Sequence, residues 1–175
     1  MRYVALLRGI NVGGNTMIKM EELRKTFEAL GFENVVSYIN SGNLAFDARK
    51  TSETNLVKKI EAAVEGLIDK RVQVMVRERR DLERVVANNP FDGKYQSHKE
   101  MHVLFLKSEL SVEQISWLTE ATPSGEHFQV SGHEIYCHLP MGVADSYLGR
   151  GQFEKKLNES VTARNWRTVQ KLAEL

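Results

Sequence analysis

Cysteine is nearly absent. The 175-residue chain has one, Cys137, so an internal disulfide framework is excluded and the fold has to rest on a packed core. Long apolar runs are missing as well. The opening MRYVALLRGIN carries only a short apolar stretch with Arg8 inside it and no small-residue cleavage site, so neither a signal peptide nor a membrane span is expected, and a cytoplasmic location is. Nor is there an excess of one charge: 24 Lys and Arg stand against 23 Asp and Glu, a net +1. No overall field therefore draws the chain to nucleic acid or an anionic membrane, and such binding would need a local patch. What is present, 42% hydrophobic and 27% charged residues, is the composition of a globular protein, long enough for one domain or two small subdomains sharing a core.

Periodicity orders the first half. Residues 3–8 read as a buried strand ending near Arg8. Met20, Leu23, Phe27 and Leu30 recur at helical spacing before a C-cap position at Gly31. Val35–Ile39 and Leu44–Phe46 read as strands around the turn Ser41-Gly42-Asn43. Ser52 caps a helix carrying Leu56, Ile60, Val64 and Leu67, and Val72, Val74 and Val76 alternate as a half-buried strand. The order βαββαβ is that of the ferredoxin-like split βαβ motif.

A short helix over about Asp81–Asn88 is stopped by Pro90, and the pattern restarts. Met101–Leu106 is a second apolar strand. Ser111 with Gln114 forms a capping box for a helix bearing Val112, Ile115 and Leu118, and a hairpin turns at Ser131-Gly132-His133. Laying YVALLR over HVLFLK and SYINSGN over FQVSGHE raises a duplication of βαββ, with chance identity as the alternative. The expected fold class is α+β, a ferredoxin-like βαββαβ unit followed by a similar βαββ unit and C-terminal helices. Subdomains are expected over 1–89 and 90–175, with one compact domain as the alternative.

One loop invites a chemical reading. Gly9-x-x-x-x-Gly14-Asn15-Thr16 has the glycine spacing of a phosphate-binding P-loop, but asparagine stands where the phosphate-reaching lysine belongs. The helical period also starts only near Met20, too late for its N-terminal amides to face a phosphate held by the glycines. The dinucleotide spacing of Gly9, Gly13 and Gly14 is wrong too. What remains is an anion-friendly loop with Arg8, Lys19, glycine-freed amides and the side chains of Asn11 and Asn15. In a split βαβ the first two strands run parallel with the third between them, so the Arg8–Gly14 loop and the Ser41-Gly42-Asn43 turn are expected at one sheet edge. Two readings are open, a site or merely two tight turns, and for Arg8 an anion partner or a structural ion pair.

Elsewhere the chemistry thins out. Thr162–Leu172 reads as a helix capped by Thr162, with Trp166, Val169 and Leu172 on an apolar face and Arg164, Arg167 and Lys171 on a basic one. That stripe suits RNA phosphates or simply solvent, and no aromatic-rich strand of an RNA-recognition sheet accompanies it. His98, His102, His127, His133 and His138 lack metal-ligand spacing, so no metal is expected. Cys137 alternates with Ile135 and Leu139 as a core thiol, and Ser41 lacks a nucleophile elbow. No catalytic motif is recognisable and no cofactor is implied.

The blocks LLRGINVGG, KMEEL at 19–23, YINSGNLAF at 38–46 and TARNWRTVQKL at 162–172 resemble the signature of the bacterial domain-of-unknown-function 1697 family. The resemblance implies an α+β fold related to the ferredoxin-like type and brings no established activity. It places Arg8, Gly9, Asn11, Gly13, Gly14, Lys19, Ser41, Gly42, Asn43, Arg164, Asn165 and Trp166 on the characteristic blocks; residues between about Asp47 and Ser160 match less distinctly. The leading expectation is a small anionic or phosphate-bearing ligand between the glycine loop and the Ser-Gly-Asn turn, with Arg164 and Asn165 closing the site. The rivals are RNA binding through the basic helix face, and a structural or oligomerisation module whose polar residues only fix turns.

Overall fold

A computed structural model describes residues 1–14, 16–149 and 153–175. The chain divides into two compact units, Met1–Arg84 with Lys171–Leu175, and Val85–Gln170. In the first, β1 (Arg2–Leu7), α1 (Met20–Ala29), β2 (Glu33–Tyr38), β3 (Asn43–Asp47), α2 (Glu53–Ile68) and β4 (Val74–Glu78) come in order, and α3 (Arg79–Ala87) starts directly after β4. Its sheet runs β2-β3-β1-β4, antiparallel throughout, so β1 and β2 are parallel across β3 as the split βαβ order requires.

Helical spacing decides what each helix buries. Leu23 and Phe27 of α1, with Leu56, Ile60 and Val64 of α2, close over Tyr3, Ala5, Leu7, Leu44, Phe46, Val74 and Val76 of the sheet. Burial of side chains this size is worth about 1.5–3 kcal/mol each. Phe46 is the hub: Phe32 stacks on it at 4.4 Å between ring centres, and Phe27 meets it edge-on at 5.4 Å. Ser52 caps α2 by accepting a bond from the Asn55 amide. Leu67, at the same helical spacing, is 39% exposed near the helix end.

The second unit repeats the scheme: β5 (Met101–Leu106), α4 (Val112–Ala121), β6 (His127–Ser131), β7 (Glu134–His138), α5 (Phe153–Leu157) and β8 (Val161–Asn165), with α6 (Trp166–Glu174) again starting at the strand's end. Its sheet order β6-β7-β5-β8 is the counterpart of β2-β3-β1-β4. The register agrees residue for residue, since Val4 faces Arg77 across β1–β4 and Val103 faces Arg164 across β5–β8. The capping box at Ser111 and Gln114 is formed in both directions. Cys137 is wholly buried in this unit's core, where burial and the nearby Glu126 charge push its thiol well above the usual range; it is an inert packing group.

The helix expected from Thr162 is corrected. Residues Val161–Asn165 form β8 against β5, making the second unit a full βαββαβ rather than βαββ, and the helix begins only at Trp166. The basic stripe therefore does not form as one helical face: Arg164 is a buried strand residue, whereas Arg167 and Lys171 are exposed on α6 and Lys171 pairs with Glu174 at 2.9 Å. On α4, Leu118 is buried while Val112 is 79% and Ile115 37% exposed. Among the described residues no helix is long and apolar enough to cross a membrane.

One backbone position in the first unit admits no side chain. Gly42 has φ +77°, and a Cβ there would stand 2.9 Å from the Leu7 Cβ and 3.1 Å from the Ile10 Cβ. Gly42→Ala is expected to cost at least about 2 kcal/mol in urea unfolding, from left-handed strain plus the clash. Gly13→Ala, where φ is +61° and no atom lies within 4 Å of an added Cβ, is expected to cost about 1 kcal/mol, strain alone.

Candidate functional site

The β1–β3 register, with Leu6 opposite Asn43, sets the glycine loop leaving β1 beside the turn entering β3. The Leu7 amide donates to the Gly42 carbonyl at 2.8 Å. On the other side the Arg8 amide donates to the Gln73 carbonyl at 2.9 Å, and the Arg8 guanidinium reaches the Gln73 side-chain oxygen at 3.3 Å. The loop's root is thus tied to β3's turn and to the segment leading into β4.

Beyond the root, Asn11 organises the loop. Its backbone takes the left-handed conformation at φ 54°, which asparagine tolerates better than most residues, and its amide donates to the Thr16 carbonyl. Its side-chain Nδ2 donates to the carbonyls of Asn40 (2.7 Å) and Ile18 (2.9 Å), and its Oδ1 accepts from the Ile18 amide at 2.7 Å. One side chain therefore does what a short sheet would do, pinning both arms of the loop and the neighbouring turn. Ile10 and Ile18 are buried on either side of it. Between these anchors Val12, Gly13 and Gly14 stand exposed, Val12 by 58%.

The turn is held just as firmly. Asn43 is completely buried, and its Nδ2 donates to the Tyr38 carbonyl at 3.2 Å and to the Ser41 hydroxyl at 3.0 Å. Arg8, Gly9, Asn11, Gly13, Gly14, Ser41, Gly42 and Asn43 are thereby gathered at one sheet edge, with the exposed Lys19 at the N-cap of α1. Asn15 lies outside the described residues. The α1 start lies well beyond Gly14, and its first turn carries Glu21 and Glu22, which already supply the negative charge its dipole favours. The loop and the helix start therefore do not combine into a P-loop.

Lys70 and Gln73 carry no signal of their own in the sequence. Lys70 donates to the Thr16 hydroxyl at 2.8 Å, adding a cation beside the glycine loop. Only the strand order points to them: β4 is antiparallel to β1 with Val74 opposite Leu7, so the residues just before Val74 come to the edge where β1 ends.

Arg164, Asn165 and Trp166 belong to the other unit, where each has a local role. Arg164 is 8% exposed; its Nη1 donates to the Thr162 hydroxyl (2.8 Å) and the Ala163 carbonyl (2.9 Å), and burial lowers its pKa to about 10. Asn165 caps α6 by accepting from the Thr168 amide at 2.9 Å. Trp166 is buried. His102 is buried with Nδ1 lacking a hydrogen-bond partner, and desolvation lowers its pKa. His127 and His138 stack at 5.6 Å, with His138 Nε2 3.4 Å from Glu100. Among the described residues no three His, Cys, Asp or Glu side chains group so as to hold a metal ion.

Comparison with known proteins places this geometry in a family. Residues 1–136 match the family model described as a protein of unknown function, DUF1697. A solved structure of a conserved bacterial protein from Streptococcus pneumoniae is similar with a TM-score of 0.77 and 27% sequence identity, covering 99% of this chain and 97% of that one. No curated protein matches the sequence. The matched stretch holds the glycine loop and the Ser-Gly-Asn turn but ends before β8.

Asn11→Ala deletes three hydrogen bonds and leaves the Ile18 amide without its acceptor, so a loss of about 2–3 kcal/mol is expected in thermal or urea unfolding. Asn11→Asp keeps the acceptor but sets a carboxylate oxygen against the Asn40 and Ile18 carbonyls, and is expected to be destabilised at least as much as Asn11→Ala.

Proposed function

We propose that this chain, which belongs to the DUF1697 family of proteins of unknown function, binds a small anionic, phosphate-bearing ligand at the first sheet's edge. The ligand sits between the exposed Gly13–Gly14 tip and the Ser41-Gly42-Asn43 turn. Arg8, Lys19 and Lys70 supply positive charge, and the backbone amides of Gly9, Gly13 and Gly14 supply donors. Successive main-chain amides in a turn make concave nests for phosphate and carboxylate. Gly9, Gly13 and Gly14 all have positive φ.

The observation that carries this reading is the pre-organisation of an exposed, glycine-rich loop. The Asn11 bracket and the Lys70–Thr16 bond stabilise the fold and also order the loop's arms before a ligand arrives, which lowers the entropic cost of binding. Asn11 and Asn43 act here as positioning residues, their amides being engaged within the fold. The site is confined to the first unit, while Arg164 and Asn165 keep the structural roles given above and Trp166 is buried.

The test is a titration of the isotope-labelled protein with inorganic phosphate and with sulfate, read out by amide chemical shifts. Saturable shifts are expected at Gly9, Gly13, Gly14 and Gly42, with affinity falling about tenfold in Arg8→Ala, the loss of one charge-assisted hydrogen bond worth roughly 1.5 kcal/mol. Linear, unsaturated shifts, or saturable shifts confined to residues 85–170, would contradict the reading.

A further inference from the structure

The second unit carries a feature the anion site does not use. Beside β6, between that strand and α4, lies a cavity of about 620 Å³ lined by Leu110, Ile115, Leu118, Phe128 and Val130, with Glu109 and Glu126 at its walls. Its size is that of a pocket for several side chains. The apolar lining of α4 explains the exposure of Ile115, and Val112 adds exposed apolar surface on the same helix.

The strand along this cavity is a terminal one, with β7 as its neighbour in the sheet. Bonded and non-bonded pairs alternate along an antiparallel ladder, and across the two-residue Gly132-His133 turn Ser131 and Glu134 form a bonded pair. Phe128 and Val130 therefore turn their main-chain N–H and C=O groups away from β7. The Val130 carbonyl receives a long 3.4 Å contact from the neighbouring Gln129 side chain, which an incoming amide displaces.

The corresponding edge of the first unit is blunted. There β2 breaks register between Glu33 and Val36, with Asn34 at φ 49° and its carbonyl taken by Arg2 at 2.8 Å. Bulges of this kind stop edge strands from pairing. By contrast β6 runs in unbroken register with β7 from His127 to Ser131.

We propose that β6 and the α4 cavity accept an extended peptide segment of another protein by strand addition, with apolar side chains at alternate positions entering the cavity and a lysine or arginine at the end next to Glu109. Main-chain bonds to Phe128 and Val130 supply affinity, and the cavity reads every second side chain. The lining sets the charge of the partner: the formally charged side chains there are both carboxylates. Glu126 is committed to the Tyr147 amide at 2.8 Å, which leaves the largely exposed Glu109, 3.9 Å from His133, to meet a cation.

The probe is a capped hexapeptide of alternating valine and threonine ending in lysine, with versions that end in glutamate or carry N-methyl groups at alternate residues. Titrated into the intact protein, the lysine peptide is expected to give saturable shifts of the Phe128 and Val130 amides and to slow their hydrogen exchange. The glutamate peptide binds at least tenfold more weakly, Glu109→Gln removes that difference, and the peptide methylated on the residues facing β6 does not bind. The proposal is overturned if the lysine peptide gives no saturable shifts, or if the methylated or the glutamate peptide binds as well as the parent. It is equally overturned if sedimentation shows the protein dimerising with protection of Phe128 and Val130, which would give the edge to a second copy.

Discussion

The first sheet's edge depends on a missing Cβ. Strand β3 can lie in register against β1 and send its preceding turn over Leu7 and Ile10 only because residue 42 is glycine, and the Leu7 amide to Gly42 carbonyl bond closes where a side chain would have to stand. That contact sets the remainder of the edge. Asn40 comes within 2.7 Å of Asn11 and Asn11 reaches Ile18, so the two arms of the glycine loop are tied to each other and to the turn. The glycine and the asparagine are complementary, since one permits the close approach and the other holds what it brings together.

The two units show how one architecture diverges at its edges. Leu106 donates to the His133 carbonyl at 2.9 Å as Leu7 does to Gly42, so the strand-to-turn tie is repeated. Past the tie, the connections differ. The first unit places a bracketed, glycine-rich loop between β1 and α1, with Arg8, Lys19 and Lys70 around it. The second crosses from β5 to α4 through residues 107–111, which carry no glycine, and places Glu109 near the turn. Directly after the tie both units keep a cation, Arg8 in the first and Lys107 in the second, and a cavity opens beside the second unit's terminal strand. Chemistry here varies in the connections, while the sheets keep order and register.

Local signals made much of this legible. Helical spacing gave α1 and α2, the Ser111–Gln114 box gave the start of α4, and the paired hairpins with the split βαβ order put the glycine loop beside the Ser-Gly-Asn turn. The strand hidden in the sequence is β8, and the reason is physical. Its buried polar residues satisfy one another, Arg164 bonding Thr162 and the Ala163 carbonyl, so no apolar alternation marks it, while the helical spacing of Trp166, Val169 and Leu172 invites extending α6 backwards. Asn165, the cap that divides strand from helix, is the residue that carries the boundary. The roles of Asn11 and Asn43 are likewise hidden, because an amide that brackets a loop and one that awaits a ligand are the same letter until the tertiary partners are known.

The Gly42 approach and the Asn11 bracket hold the two arms of the glycine loop in place before any ligand binds. Native-state hydrogen exchange at the Leu7 and Ile18 amides tests this most directly, because both donate into that arrangement, one to the Gly42 carbonyl and the other to the Asn11 side chain. Both amides are expected to exchange slowly, Ile18 nearly as slowly as the β1 amides although it lies outside any strand or helix. Exchange of Ile18 at the rate of an unprotected loop amide, with Leu7 still protected, would show the bracket to be open in solution and would contradict the account.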